Sequence, residues 1–478
     1  MKFEISNPSA HPLARLDQQF VWHPFTQMRD WLRREPIVIA EGKGAVLRDV
    51  KGKEYLDANS SIWTNLHGHQ QPRLNAAIQR QLRKIAHSSA LGLANEPASL
   101  LAAKLALAAN PGPGRKRPEL SRVFFSDDGS TAVEAALKLA YTFARRSGRS
   151  RNPRFLSIAG GYHGDTVGAV ALGHIPLFHK EYSGLLFKTD QVMAPYCYRC
   201  RFNRARPERA DAREYRRCHW ECVDVFEKKM LAQSRRGNPY SGFVVEPLMQ
   251  GAAGMIPQPR GWLRRVAGIA RSQGALLIAD EVMTGFGRCG VPNDSLFASH
   301  QEGVRPDFLC LAKGLTGGYL PMAATLTTSA VFEAFLGEYE EFKTFFHGHS
   351  YTGNQLGAAA ALANLELLED PRLMDKRVQL QASMHRELQQ LWKLPSVGDI
   401  RQVGLVAGIE LVRDWRTRQP FPVRDRAGMR VCEAMAKRGV LTRPVGNVVV
   451  LMPPYCTTPA QVRRMVQVLS QSCHEALH

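Results

Sequence analysis

The run Ala275-Leu276-Leu277-Ile278-Ala279-Asp280-Glu281, followed further on by Phe308-Leu309-Cys310-Leu311-Ala312-Lys313-Gly314, decides how this chain is read. Both runs are apolar without alternation, the pattern of a parallel strand covered on both faces. The first stops at a carboxylate and the second at a lysine. In open α/β sheets the carboxyl ends of the strands are where ligands bind. The pattern therefore predicts Asp280 and Lys313 at comparable strand ends of one sheet.

A buried acid and a separately buried lysine fit the needs of pyridoxal phosphate. That cofactor takes a lysine for its Schiff base and an acid that keeps its ring nitrogen protonated, so that the ring withdraws electrons. Burial in an apolar site also shifts a lysine toward the free amine that this chemistry requires. On these two runs alone, an Asp–Lys ion pair that only shapes a loop fits as well.

Three further segments bear on the choice. Val123-Phe124-Phe125-Ser126 reads as a strand, Asp127-Asp128-Gly129-Ser130-Thr131 as a turn, and Val133, Ala136, Leu137, Ala140 and Phe143 recur at helical spacing. Gly129 and Ser130 then stand at a helix N-terminus, where free N–H groups and a hydroxyl can hold a phosphate. The same residues also make an ordinary turn and cap. Gly160-Gly161-Tyr162-His163-Gly164-Asp165 follows the strand-like Arg154–Ile158. Its glycines let the backbone pass close to a planar ligand while Tyr162 stacks on the ligand face, or Tyr162 is simply packed. Phe243-Val244-Val245-Glu246-Pro247 is another buried strand ending on an acid, which either orders the group around Asp280 or faces solvent.

Together these segments resemble the fold-type-I pyridoxal-phosphate enzymes, in particular the class III (omega) aminotransferases. The resemblance runs from about Phe20 to the C-terminus and is most specific at Asp280-Glu281-Val282-Met283-Thr284-Gly285-Phe286-Gly287-Arg288 with Lys313 downstream. Within that class the chain is most similar to the biotin-pathway aminotransferases that convert 8-amino-7-oxononanoate to 7,8-diaminononanoate. The segments that carry this are Trp22–Met28, Ser60-Ser61-Ile62-Trp63 with Leu66-His67-Gly68-His69, Phe346–Asn354 and Thr442-Arg443-Pro444.

The resemblance implies an α/β fold: a large domain with a mostly parallel sheet, and a smaller α+β domain built from the C-terminus and the N-terminal segment. It implies Lys313, Asp280 and Tyr162 as catalytic residues, and Gly129, Ser130, His163, Glu246 and Ser350 beside them at the cofactor. At the substrate it places Phe25, Ile62, Trp63, Tyr162, Lys313, Gly348 and Arg443. An arginine suits that last position because its planar fork can hold both oxygens of a carboxylate. The Gly348-His349-Ser350 turn is implied to reach a partner's cofactor phosphate, so the expected unit is a homodimer with shared sites. S-adenosylmethionine is the expected amino donor and lysine the alternative. Relatives that use S-adenosylmethionine usually carry tyrosine at the place of Phe25 and tryptophan at that of Ile62. Another omega-aminotransferase acting on a diamine or an omega-amino acid, and a non-catalytic regulator or nucleic-acid binder on this fold, complete the alternatives.

The chain's 478 residues can bury large cores and form a major domain plus a smaller one. Its balance of 63 basic against 43 acidic residues gives +20, which raises an anionic-partner reading. The arginines are spread along the sequence and no nucleic-acid motif accompanies them, so a basic solvated surface and no nucleic-acid partner are expected. The N-terminus lacks a signal-peptide core, and Glu96, Pro97 and Lys104 break the most apolar long stretch, Leu91–Asn110. A cytoplasmic protein with mostly reduced cysteines and no membrane contact is the expectation.

Domain boundaries are expected at 1–75 for an N-terminal segment, 76–345 for the large domain and 346–478 for the small one. The first carries short strands, with a hairpin at Val46–Tyr55. Pro111-Gly112-Pro113-Gly114 reads as a loop, Asn354–Glu369 as an alanine- and leucine-rich helix, and strands are expected near Val403–Leu411 and Val448–Met452. An insertion at 196–222 holds Cys197, Cys200, Cys218 and Cys222. A helix opened by Pro207 would set Cys218 and Cys222 on one face, giving either a closed structural zinc site or reduced thiols. No metal is expected in the catalytic chemistry.

Overall fold

The computed structural model describes residues 11–111, 120–290 and 295–477. Seven strands form its central sheet, in the spatial order Leu120–Ser126, Ala323–Thr328, Phe308–Leu311, Leu276–Asp280, Gly242–Val245, Phe155–Ile158 and Asp190–Val192. Ala323–Thr328 is antiparallel to both neighbours, and the five strands from Phe308–Leu311 onward run parallel.

The uninterrupted apolar runs follow from helices on both faces. On one face Val133, Ala136, Leu137, Ala140 and Phe143 of the helix Gly129–Arg146 pack with Val244, Ile278, Phe308 and Cys310. On the other, Phe226 and Met230 of Glu221–Arg235 and Trp262 and Val266 of Trp262–Ser272 pack with Leu156, Phe243, Val245 and Leu277. Alternate side chains of each strand thus enter different cores, each worth about 1.5–3 kcal/mol when fully buried. This is the α/β fold with a large, mostly parallel sheet that the resemblance implied.

Besides a two-stranded ribbon of Met249–Gln250 and Ile256–Pro257, the described residues form two smaller sheets. Ile39–Lys43, Val46–Asp49 and Glu54–Asp57 form an antiparallel meander, and Val440–Leu441 from far along the chain pairs in parallel with Glu54–Asp57. Val397–Val403 and Val406–Asp414 form a hairpin that continues through Val448–Leu451 to Pro444–Val445. The expected strand near Val403–Leu411 is therefore divided by a turn at Gly404-Leu405, where Gly404 has φ 59° and stands against the backbone of Cys289-Gly290. The helix Gln355–Glu369 is capped by Asn354, whose Oδ1 accepts from Gly357 N at 2.9 Å. Gly112–Gly114 of the expected loop lie outside the described residues.

The insertion departs from its expected helix. Between Pro207 and His219 the chain forms turns and extended segments, and the helix begins only at Glu221. Cys218 therefore precedes it and shares no helical face with Cys222. Among the described residues, no group of three or more histidine, cysteine, aspartate or glutamate side chains is arranged to hold a metal ion. Cys197 packs with Tyr198 and Ala212, Cys222 joins the core with Phe226, and Arg216 points a guanidinium N–H at Cys218 Sγ at 3.0 Å. Burial pushes the Cys197 thiol up to about 12 and the Cys222 thiol up to about 11, with the neighbouring cysteines adding to the rise. Of the two readings of the insertion, the structure has the free thiols. No helix among the described residues is long and apolar enough to cross a membrane.

Candidate active site

Parallel pairing sets Asp280 opposite Cys310, so Lys313, three residues further on, emerges beyond the same sheet edge as Asp280. A cavity of about 770 Å³ opens there. Trp63, Ser130, Tyr162, Glu246, Asp280 and Lys313 are among the residues that line it.

Asp280 is buried, with two fixed partners. His163 Nδ1 lies 2.8 Å from its Oδ2, and its Oδ1 accepts from Val282 N at 3.1 Å. Burial disfavours the charged form of His163, but the hydrogen bond and charge of Asp280, aided by Glu246, outweigh it and raise the pKa. Glu246 accepts from Tyr162 N at 3.2 Å with one oxygen and from Gly251 N at 2.8 Å with the other. Burial pushes Glu246 up to about 7. Lys313 reaches the cavity from a left-handed backbone with φ 43°, and its Nζ sits 4.9 Å from the centre of the Trp63 ring. Burial lowers its pKa against the opposing pull of Asp280 and Glu246.

The opposite wall is the N-terminus of the helix Gly129–Arg146. Asp128 Oδ1 accepts from Thr131 N at 2.9 Å, and Thr131 Oγ1 accepts from Asp128 N at 3.1 Å, a reciprocal cap. Ser130 Oγ lies 2.8 Å from Thr166 Oγ1. A Cβ on Gly129 would stand 2.6 Å from Val282 Cγ1, and one on Gly164 would collide with Ser130. Only glycine permits that close approach. The result is a helix end with free N–H groups on one side and a buried carboxylate beside an amine on the other. This donor set fits a planar, phosphate-bearing cofactor whose ring nitrogen is basic and whose reactive carbon accepts an amine.

Tyr162 hydroxyl donates to Asp165 Oδ2 at 2.7 Å, and burial and that bond raise its pKa. Phe25 meets the Tyr162 ring edge-on at 6.3 Å between centroids. Phe25, Ile62, Gly348, Ser350 and Arg443 are exposed and lie outside the cavity walls. Ser350 offers its carbonyl to His87 Nε2 at 2.7 Å. Sequence reading gave no role to Val282, Met283, Asp165 or Thr166, which also line the cavity. Their signal was adjacency: each follows a motif residue within a few positions.

Fold and site together define a class-III aminotransferase, and residues 28–473 match the model of that family, described as "Aminotransferase class-III". The chain belongs to this family, a transaminase with pyridoxal 5′-phosphate as its cofactor. It is 46% identical to adenosylmethionine-8-amino-7-oxononanoate aminotransferase of Geobacter sulfurreducens, over 96% of each chain. The crystal structure of the enzyme of that name from Methanocaldococcus jannaschii superposes with a TM-score of 0.86 at 39% identity, over 97% of this chain and 98% of that one. An amine transaminase from an uncultivated Pseudomonas species, in a pyridoxal-phosphate-bound form, gives a TM-score of 0.85 at 32% identity, over 96% of this chain and 99% of that one.

Proposed function

We propose that this chain transfers an amino group to 8-amino-7-oxononanoate, giving 7,8-diaminononanoate, with S-adenosylmethionine as donor and pyridoxal phosphate as cofactor. The observation that carries the reading is the joining of Asp280, Lys313 and the Gly129–Ser130 helix end around one cavity, in a chain 46% identical to a protein named for that reaction.

When bound, the cofactor supplies an electron sink for charge that develops on the amino-bearing carbon. Asp280 would hold a proton on the ring nitrogen, and His163 keeps that carboxylate oriented. Gly129 and Ser130 would hold the phosphate, and Tyr162, in the same cavity wall, would pack against the ring. Glu246 fixes Tyr162 and Gly251 through their backbone N–H groups.

Lys313 would anchor the cofactor and, through Nζ, would take the proton from the amino-bearing carbon of the donor and deliver one to the carbonyl carbon of the acceptor. The lowered pKa of Lys313 leaves more of it as free amine for both tasks. Donor and acceptor occupy the cavity in turn, which gives ping-pong kinetics. Phe25, Ile62 and Trp63 line the approach for the aliphatic chain, and Arg443 holds the acceptor's carboxylate.

The Gly348–Ser350 turn serves a second copy of the chain, so the active unit is a homodimer. Nine cysteines, none in a disulfide among the described residues, suit a cytoplasmic setting.

The test is a half-reaction on cofactor-loaded protein, following loss of the absorbance of the lysine-bound cofactor. Conversion by S-adenosylmethionine, followed by amino transfer to 8-amino-7-oxononanoate, is the expected result. Conversion by lysine alone would replace the donor. No conversion by either would remove the reading.

A further inference from the structure

We propose that Asp57, seconded by His69, is a positioning residue for this transaminase: its carboxylate clamps the segment Ser60–Trp63, left-handed at Ser60, Ser61 and Trp63, and so fixes Trp63 against Lys313. The proposal rests on the cavity assigned above as the active site, but not on the identity of the acceptor.

The segment's conformation needs an explanation. Ser60, Ser61 and Trp63 have φ of 46°, 61° and 64°, a region that residues with a Cβ disfavour. Left-handed residues so close together persist only where their surroundings over-determine them, and they cluster at functional sites.

Asp57 supplies much of that determination. It ends the strand Glu54–Asp57, is 2% exposed, and is anchored by Val440–Leu441 pairing alongside. Its Oδ1 accepts from Asn59 N at 3.2 Å and Ser61 N at 2.9 Å, and its Oδ2 lies 2.9 Å from the same Ser61 N and 3.4 Å from Ser61 Oγ. Hydrogen bonds to a buried carboxylate are the strong kind. His69 Nε2 stands 3.2 Å from Oδ2, and its Nδ1 faces the Asn65 amide nitrogen at 3.1 Å. That amide donates to Nδ1, which leaves the imidazole proton on Nε2, pointed at Asp57.

The clamp is carried onward to the cavity. Asn59, whose N–H Asp57 holds, accepts from Trp63 Nε1 at 2.9 Å through its side chain and from Trp63 N at 3.0 Å through its carbonyl. The Trp63 ring then lies under Lys313 Nζ. On its far side the segment is pinned by Ser60 Oγ on Met452 O at 2.7 Å and by Arg288 on Asn65 O at 2.9 Å. Asp57 lines no part of the cavity and touches none of the reacting groups, so it acts through Trp63.

The experiment compares Asp57→Asn, His69→Leu and His69→Gln with the wild type. Amide hydrogen exchange over residues 59–64 is measured on cofactor-free and loaded protein, beside KM, kcat and the pH dependence of the lysine-bound cofactor's absorbance. Asp57→Asn should speed exchange over this segment about ten-fold or more, raise KM for the acceptor and shift that pH dependence. His69→Gln, which keeps a donor toward Asp57, should restore most of what His69→Leu loses. His69→Leu also decides the matter should Asp57→Asn fail to fold, since it leaves the strand end intact. Unchanged exchange over 59–64 would overturn the clamp. Faster exchange with unchanged KM, kcat and pH dependence would overturn the positioning role. Wild-type protein inactive on 8-amino-7-oxononanoate would remove the assigned acceptor, while exchange and absorbance would still decide this proposal.

Discussion

His163 Nδ1 stands 2.8 Å from Asp280 Oδ2, with both side chains buried in the cavity wall. The pair fixes a carboxylate where the parallel sheet ends, and a carboxylate in that position holds positive charge on whatever base lies above it. Asp280→Asn keeps the shape and removes the charge. We expect kcat to fall by about 10²- to 10³-fold, as when one preorganised electrostatic partner is lost. Single-turnover kinetics on the loaded variant measure it, and an unaltered rate would deny Asp280 its role.

Lys313→Ala removes the residue proposed as both anchor and proton carrier. The absorbance of the lysine-bound cofactor should vanish, and turnover should fall by at least about 10²- to 10⁴-fold. A variant that keeps both would show that the cofactor is held elsewhere.

The sheet edge that carries the proposed site was legible because its strands are buried on both faces. Leu276–Asp280 and Phe308–Leu311 could be read as apolar runs with charged stops, and pairing of Asp280 with Cys310 places those stops together. The insertion was misread for the opposite reason. Pro207 is a permissive helix start, but the charged residues after it find partners outside a helix: Arg213 ties to Asp211 at 2.7 Å, and Arg209 bonds to Val397 O at 2.5 Å. Arg213 also bonds to Gln402 O at 2.7 Å, and such tertiary contacts, like that of Arg209, leave no trace in local periodicity. The same holds for the left-handed backbone at Ser60, Ser61 and Trp63, which no residue preference announces.

Arg443 is exposed, at the edge of the sheet that contains Pro444–Val445 and Val448–Leu451. If it holds the acceptor's carboxylate, Arg443→Ala should raise KM for 8-amino-7-oxononanoate about 10- to 100-fold and leave that of the donor nearly unchanged. Steady-state kinetics with each substrate varied in turn separates the two. Equal effects on donor and acceptor would remove the assignment.

Glu281 follows Asp280 but turns away to the core, where its Oε1 accepts from Ser299 N at 2.8 Å and Ser299 Oγ at 2.6 Å, and its Oε2 from Ala298 N at 2.5 Å. Burial pushes it up to about 7 from an ordinary 4.5, against the pull of those Ser299 bonds. Between these two values the folded state holds a proton that the unfolded state has released. The group's contribution to stability is therefore full below about 4.5 and is lost as pH rises through about 7. The shift corresponds to roughly 3 kcal/mol. Glu281→Gln has no proton to release, so its difference from wild type isolates the effect while Glu246 and every other group cancel. Urea unfolding of the cofactor-free proteins from pH 5 to pH 8 should show the wild type losing stability relative to Glu281→Gln as pH rises. A difference that stays constant across that range would mean that the carboxyl is ionised in the core and stabilised by the Ala298 and Ser299 N–H groups.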